Sequence, residues 1–190
     1  MRKAVGLGLS AAAIFATGLA TPAASAAVTS TAAVNAPAPG PGDPDTTVTF
    51  AVTSGELTMT APTASDLGSG APGDTITSEI GAVTVTDDRA LLTAAWTATA
   101  SATDFTTGGG TAAETIPATD ATYSPGTITT TGTITATPTS ITLDHEAQPV
   151  VAGTAGVGNN TASWDPTVAV AVPPAAVGGT YTGTLTQSVS

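Results

Sequence analysis

The sequence contains no cysteine and has few basic and aromatic residues. Its 190 residues include three lysines and arginines together, 14 aspartates and glutamates, and 4% aromatic side chains. Without cysteine, disulfides, thiolate metal sites and a thiol nucleophile are excluded. The acidic excess excludes nucleic acid, anionic lipid and other partners that are recognised by Coulomb attraction to anions. Neutral or zwitterionic ligands remain, together with contacts bridged by divalent cations.

Two of the three basic residues lie at the start of the chain. Met1-Arg2-Lys3 precedes an apolar run over residues 4–20, and the small residues that follow match a secretory cleavage site after Ala26. We therefore predict a signal peptide over residues 1–26, and export of a chain whose single basic residue is Arg89. No later apolar run is long enough to cross a bilayer. We expect a secreted protein with no membrane insertion and no covalent anchor.

The segment after the predicted cleavage site is rich in proline and glycine. Residues 27–45 contain almost no bulky apolar side chain, so they cannot bury enough surface to offset the entropy of ordering the chain. We predict a linker or disordered arm here.

From Thr46 onward, apolar residues alternate with threonine and other small polar residues. A period of two is typical of strands with one buried face, and it covers TTVTFAVT at residues 46–53 and the run around Trp96. Glycine, proline, asparagine and aspartate cluster between these runs. The pattern predicts one domain over residues 46–190. Its fold would be an all-β antiparallel sandwich of roughly eight to ten short strands, Ig-like or Greek-key in general architecture.

Residues 83–105, VTVTDDRALLTAAWTATASATDF, resemble the first motif of the WxL domain of exported Gram-positive surface proteins. In that family, a strand ending in Asp-x-Arg leads to a Trp-x-Leu strand and a closing Asp/Pro-Phe pair. Trp96 matches the tryptophan, and Ala98 replaces the leucine. The other matches are Asp87 or Asp88 with Arg89 for the first element, and Asp104 with Phe105 for the closing pair.

The end of the chain, VAVAVPPAAVGGTYTGTLTQSVS, is similar to the closing strand of the same family. Tyr181 and Leu185 stand where the family pattern places them. Gln187 replaces the second tryptophan and Val189 the second leucine, so the second Trp-x-Leu motif is absent. The resemblance implies a β-sandwich that attaches non-covalently to peptidoglycan.

The candidate wall-binding residues come from these motifs, and Trp164 is added because it follows a Gly/Asn turn. For Trp96 the alternatives are core packing and sugar stacking. For Trp164 they are a plug over the end of the core and ligand stacking, and its loop position predicts more exposure than Trp96 has. The candidate set is Trp96, Ala98, Asp104, Phe105, Trp164, Tyr181, Leu185 and Gln187.

Two further features of these motifs concern single side chains. Asp87, Asp88 and Arg89 are expected where a strand ends, with Arg89 tying down a loop by bidentate hydrogen bonds; ligand contact is the alternative. A buried amide needs partners, so we expect Gln187 near a rim or bonded to backbone.

Catalytic and metal-binding patterns are sparse. The sequence has no Gly-x-Ser-x-Gly elbow, no His-Glu-x-x-His and no phosphate-binding Gly-Lys loop. Asp144-His145-Glu146 places three polar side chains on successive residues, which is poor geometry for one metal and typical of a solvated turn. We therefore predict a protein that is not an enzyme and that uses no cofactor or metal.

Three functional hypotheses remain. The first is a secreted protein associated with the cell wall, with peptidoglycan or another neutral or zwitterionic wall glycan as its partner. The second is a structural or assembly subunit of a surface layer or complex, which pairs with other surface proteins through an edge strand. The third is a Ca²⁺-stabilised adhesin domain, which is suggested by the excess of acidic residues.

Overall fold

The computed structural model describes residues 46–190. The predicted signal peptide over residues 1–26 and the predicted linker over residues 27–45 lie outside the described residues. Within residues 46–190 there are two 3-10 helices, Ala112–Glu114 and Ala118–Asp120, and eleven strands. The strands are β1 Leu57–Thr60, β2 Thr75–Glu79, β3 Val83–Ala102, β4 Phe105–Thr106, β5 Thr115–Ile116, β6 Ala121–Ser124, β7 Ile128–Pro138, β8 Ile141–Thr142, β9 Gln148–Trp164, β10 Thr167–Ala171 and β11 Leu185–Val189.

The strands form antiparallel sheets that pack against each other, which confirms the predicted all-β sandwich. The larger sheet has the order β1-β3-β9-β7, with β11 also paired to β3. The second sheet has the order β2-β10-β6-β8, and β4 and β5 form a small separate pair. No helix in the described part of the chain is long and apolar enough to cross a membrane.

Period-two alternation correctly predicts most buried faces. Val83 and Val85 are buried in β3 while the intervening threonine is only half-buried, and in β10 Val168 and Val170 are buried around a half-buried Ala169. Threonine suits the outer positions because it is β-branched and its hydroxyl is well hydrated. The two sheets thus share one apolar core, to which Trp96, Trp164 and Tyr123 contribute the largest side chains.

The strand predicted over residues 46–53 is wrong. Residues 46–56 belong to no strand, and the apolar side chains of Val48, Phe50 and Val52 are 80%, 83% and 68% exposed. The alternation is present, but no neighbouring strand within the described residues supplies hydrogen bonds to this backbone. The period of two therefore identified a segment that is suited to strand pairing, but it did not show whether a neighbouring strand is present.

β3 and β9 are much longer than the short strands that the sequence predicts, with 20 and 17 residues. They pair at both ends, but register shifts interrupt the pairing between Asp87 and Trp96. Ala90 and Ala155 lie within this interruption, and both have a φ of 54°. A left-handed conformation is costly for alanine, and such irregularities bend a strand sharply.

The bend brings the two ends of β3 together. β1 pairs with residues 84–87 and β11 with residues 98–102 of β3, and eleven residues of straight strand would separate these sites by about 36 Å. β1 and β11 nevertheless contact each other. The parts of β3 before and after the bend, which we call its two limbs, thus face one core. The two regions that carry the family resemblance meet there.

Candidate functional site

Trp96 is a core residue. Its side chain is 3% exposed, and its indole lies against Gly153, which is directly opposite in β9. A methyl group at position 153 would overlap the indole ring, so glycine is required for this contact. Nε1 of Trp96 has no hydrogen-bond partner among the described residues. In this conformation, the Trp96 indole offers no exposed face to a sugar ring. Its neighbour Ala98 is buried as well.

The exposure predicted for Trp164 is wrong. Trp164 ends β9 rather than lying in a loop, and it is 2% exposed, about as little as Trp96. Its indole N–H donates a hydrogen bond of 3.0 Å to the hydroxyl of Tyr123. The Gly/Asn residues before it, which suggested a turn, lie within β9. Trp164 is thus part of the core.

Gln187 is held by a side chain from the facing sheet. The Tyr123 hydroxyl donates a hydrogen bond of 2.8 Å to Oε1 of Gln187. The side-chain amide thus bonds to another side chain, whereas one of the two predicted alternatives was a bond to backbone. Burial raises the pKa of Tyr123 to about 12, against the smaller opposing effect of the bond from Trp164. The resulting chain Trp164–Tyr123–Gln187 joins β9, β6 and β11.

Arg89 holds the bend of β3. Its Nε donates to Oδ1 of Asp87 at 2.8 Å and one terminal nitrogen donates to Oδ2 at 2.9 Å. The same terminal nitrogen also donates to the carbonyl oxygen of Ala95 at 2.9 Å. These residues lie within β3, so the predicted strand end at Asp87–Arg89 is wrong. The bonds connect the two limbs of the bent strand, which sequence spacing did not indicate.

The charge pair in this bend is partly desolvated. The Asp87 side chain is fully buried, while Arg89 is half-buried. Hydrogen bonds from Arg89 hold the pKa of Asp87 below its usual value, although burial opposes this shift. Asp88 is exposed, and its carbonyl oxygen accepts a hydrogen bond from the backbone of Gly55.

Asp104 organises a second loop contact. Its Oδ1 accepts a hydrogen bond of 2.9 Å from the backbone N–H of Ala118 and lies 3.0 Å from Nε2 of His145. The bond from Ala118, followed by the contact with His145, lowers the pKa of Asp104. Within residues 46–190, no group of three or more His, Asp or Glu side chains is placed to hold a metal ion.

The remaining candidate residues lie around an open cleft, which we call the Phe105 cleft. It consists of two adjoining depressions of about 600 Å³ and 220 Å³ that share Ser65, Leu67, Phe105 and Gly183. Tyr181 lines the larger depression, and Leu185 and Gln187 line the smaller one. The structure thus brings four predicted residues together and leaves Trp96, Ala98 and Trp164 in the core.

The Phe105 cleft is almost free of charge. Asp66 is the only ionisable side chain with a carboxyl or basic group on its walls among the described residues. The Tyr181 hydroxyl lies 2.9 Å from the carbonyl oxygen of Val177 and 3.1 Å from that of Ala113, which fixes the ring at one end of the cleft. Such walls suit a neutral ligand with apolar faces.

One side of this cleft was not predicted. Residues 62–72 form it with no regular strand, and Leu67 packs there against the core. The sequence offers a weak signal, since Leu67 is the only large apolar residue in this Gly/Pro/Ser-rich stretch.

Comparison with known proteins gives no match: no family model, no curated protein and no solved structure matches this chain.

Proposed function

We propose that this chain is a secreted, non-catalytic surface protein that associates non-covalently with the cell wall. The partner would be peptidoglycan or another neutral or zwitterionic glycan, bound in the Phe105 cleft. The resemblance to the WxL domain motivates the wall as the location. The observation that supports the site is the convergence of Phe105 and Tyr181 on a cleft with a nearly uncharged wall.

The physical argument starts from the ligand classes that the acidic chain tolerates. Sugar rings present apolar faces to aromatic rings and hydroxyls to backbone groups, so they need no basic side chain. Anionic wall polymers would be repelled by the 14 acidic residues. Wall glycan without attached anionic polymer is therefore the expected ligand.

The test is a pull-down of residues 27–190 with purified walls from which anionic polymers have been removed. Val177 is 43% exposed and lines the cleft, so Val177→Asp is expected to reduce retention without disturbing the core. Leu92→Asp is the matched control, because Leu92 is 81% exposed and lies in the bend of β3, away from the cleft walls. Absence of retention of the unmodified chain at moderate salt would contradict the proposal.

A second candidate function is assembly of a surface layer or complex. The observation that favours it is the position of β11, which pairs with β3 on one side and with no other strand in the described part of the chain. A free strand edge can accept a strand from another chain. Light scattering on residues 27–190 tests this candidate, and a strictly monomeric protein would contradict it.

A further inference from the structure

The segment over residues 46–53 is suited to strand pairing but has no partner strand among the described residues 46–190. Its apolar residues alternate, and no hydrogen bond joins it to the rest of the described residues. Exposure of three large apolar side chains at alternate positions of one segment is costly in water. The segment thus has the features of a strand that pairs with another molecule.

Exposed apolar residues concentrate where this segment leaves the domain. Seven large hydrophobic side chains are exposed in the described part of the chain, and three of them belong to residues 46–53. Three more, Leu91, Leu92 and Val157, lie in the bend of β3 and β9. The N–H of Gly55 bonds to the carbonyl oxygen of Asp88, which places the end of the segment beside that bend.

The seventh exposed residue, Val177, lies on the Phe105 cleft, which has the complementary features. The cleft contains Leu67, Phe105 and Leu185 on its walls, and β11 borders it through Leu185 and Gln187. Ser190 exchanges both backbone hydrogen bonds with Thr97 of β3. Because antiparallel bonding alternates along a strand, the N–H groups of Gln187 and Val189 face away from β3 and are available.

The dimensions of the segment and the cleft agree. Eight extended residues span about 26 Å, which exceeds the roughly 16 Å of the five residues of β11, and alternate side chains repeat about every 6.6 Å. Two adjoining depressions can therefore receive successive members of the series Val48, Phe50 and Val52. The smaller depression of about 220 Å³ has no charged group on its walls.

The cleft and the segment lie at opposite ends of β1. Residues 62–67, which follow β1, form one wall of the cleft, while the segment precedes β1. The seven residues from Gly55 to Pro62 cover about 23 Å when extended. The segment thus joins the domain at the end of β1 that is remote from the cleft wall, which favours a second copy as the acceptor.

We propose that residues 46–53 of one copy bind in the Phe105 cleft of a second copy as an additional strand beside β11. The contact joins different surfaces of the two copies, so its repetition gives rings or open filaments, and reciprocal exchange of the segments gives a dimer. This inference rests on the second candidate function, assembly, and specifies the segment that performs it. It does not depend on wall binding.

The first test compares residues 27–190 with Phe50→Ser by size-exclusion chromatography and light scattering. The unmodified chain is expected to form species whose mass increases with concentration, and Phe50→Ser is expected to run as a monomer. Ala51→Ser, one position along, is the matched control and should assemble like the unmodified chain. Because residue 50 contacts no part of its own domain core, the variant should keep its melting temperature.

A second test locates the acceptor. The chain has no cysteine, so Ala51→Cys in one tagged chain and Ser188→Cys in another can be joined specifically by a short bifunctional maleimide. A product containing both tags is expected, and excess synthetic peptide of residues 46–53 should abolish it. A chain that carries both substitutions tests the alternative. Cross-linking within this chain, together with no product between the two singly substituted chains, would overturn the proposal, since the segment would then occupy its own cleft.

A third variant separates this inference from assembly in general. Val189→Pro removes an outward-facing N–H of β11 and should prevent assembly, with folding checked by the melting curve. Assemblies that persist in Phe50→Ser but disappear in Val189→Pro would overturn the role of residues 46–53 and leave assembly through β11 intact. A monomeric unmodified chain would overturn both.

Discussion

The hydroxyl of Tyr123 lies between two partners from the other sheet, and its bond to Oε1 of Gln187 is 2.8 Å long. Tyr123 belongs to β6 of the smaller sheet, while Gln187 and the donor Trp164 belong to β11 and β9 of the larger one. This short chain of hydrogen bonds crosses the interior of the sandwich. It gives position 187 a structural role, because the Gln187 amide accepts a bond where the core borders the Phe105 cleft.

The Tyr123→Phe variant removes this link without creating a large cavity. It leaves the Trp164 N–H and the Gln187 carbonyl oxygen without their partner, so the free energy of unfolding should fall by about 2 kcal/mol. Urea denaturation followed by tryptophan fluorescence measures it. Tyr181→Phe, whose hydroxyl is bonded near the surface, should cost about 1 kcal/mol or less. Equal losses in the two variants would contradict the prediction.

Tyr123 also predicts an alkaline loss of stability. Its pKa is raised to about 12 in the folded chain, above the value of about 10 for an unfolded tyrosine. The unfolded chain therefore releases its proton first, and the stabilisation that is complete below pH 10 is lost as the pH rises towards 12. Two pKa units correspond to about 3 kcal/mol.

The alkaline transition is measured by denaturation at a series of pH values between 9 and 12. Residues 46–190 contain no lysine, so tyrosine ionisation dominates this range. Tyr123→Phe should lack the pH dependence, whereas Tyr181→Phe should retain it. A slope that survives in Tyr123→Phe would assign the effect to another group.

The Arg89→Ala variant tests the contact across the bend of β3. It leaves the fully buried carboxylate of Asp87 without its bidentate partner, and loss of one member of a buried pair costs about 3 kcal/mol. The exposed neighbour supplies the control, since Asp88→Ala should change stability by no more than about 0.5 kcal/mol. Thermal and urea denaturation distinguish these outcomes.

The same variant should alter the acid stability of the protein. Because the folded pKa of Asp87 is lowered, its contribution is present above the unfolded pKa of about 3.9 and is lost as the pH falls through the folded value. In Arg89→Ala the pKa of Asp87 is no longer lowered by Arg89, so the stabilising contribution of Asp87 should already be absent near neutral pH. An acid profile identical to that of the unmodified chain would contradict this assignment.

Gly153→Ala tests the contact between Trp96 and β9. A methyl group at this position would overlap the indole, and the strain of such overpacking costs about 2 kcal/mol. Gly178→Ala is a matched control, because no atom lies within 4 Å of the corresponding position there. The free energy of unfolding of Gly178→Ala should stay within about 0.5 kcal/mol of the unmodified value.

Much of the architecture could be predicted from local pattern. Alternation placed Val83, Val85, Trp96 and Ala98 on buried faces, and it defined the class of the fold. The same rule failed at residues 46–53, because alternation states which side chains share a face but not whether another strand lies beside the backbone. It also missed the length of β3, because Asp87, Asp88 and Arg89 interrupt the alternation as a strand end would, whereas the strand bends there and continues.

The candidate site was predictable only in part. Tyr181, Leu185 and Phe105 came from the family resemblance, and the structure places them on one cleft. Leu67 was missed because its stretch of glycine, proline and serine resembles an ordinary loop. Trp164 was misplaced because Gly-Asn-Asn before it is typical of a turn, yet these residues continue β9.

The sequence by itself determined the chemistry of this protein: no thiols, hardly any positive charge, and threonine-rich strands that bury one face. These properties follow from residue types and their spacing, which are local. Only the tertiary structure decided which strands are neighbours, where β3 bends, and that Tyr123 connects Trp164 to Gln187. Such relations join residues far apart in the chain, and they arise from burying both limbs of β3 against one core.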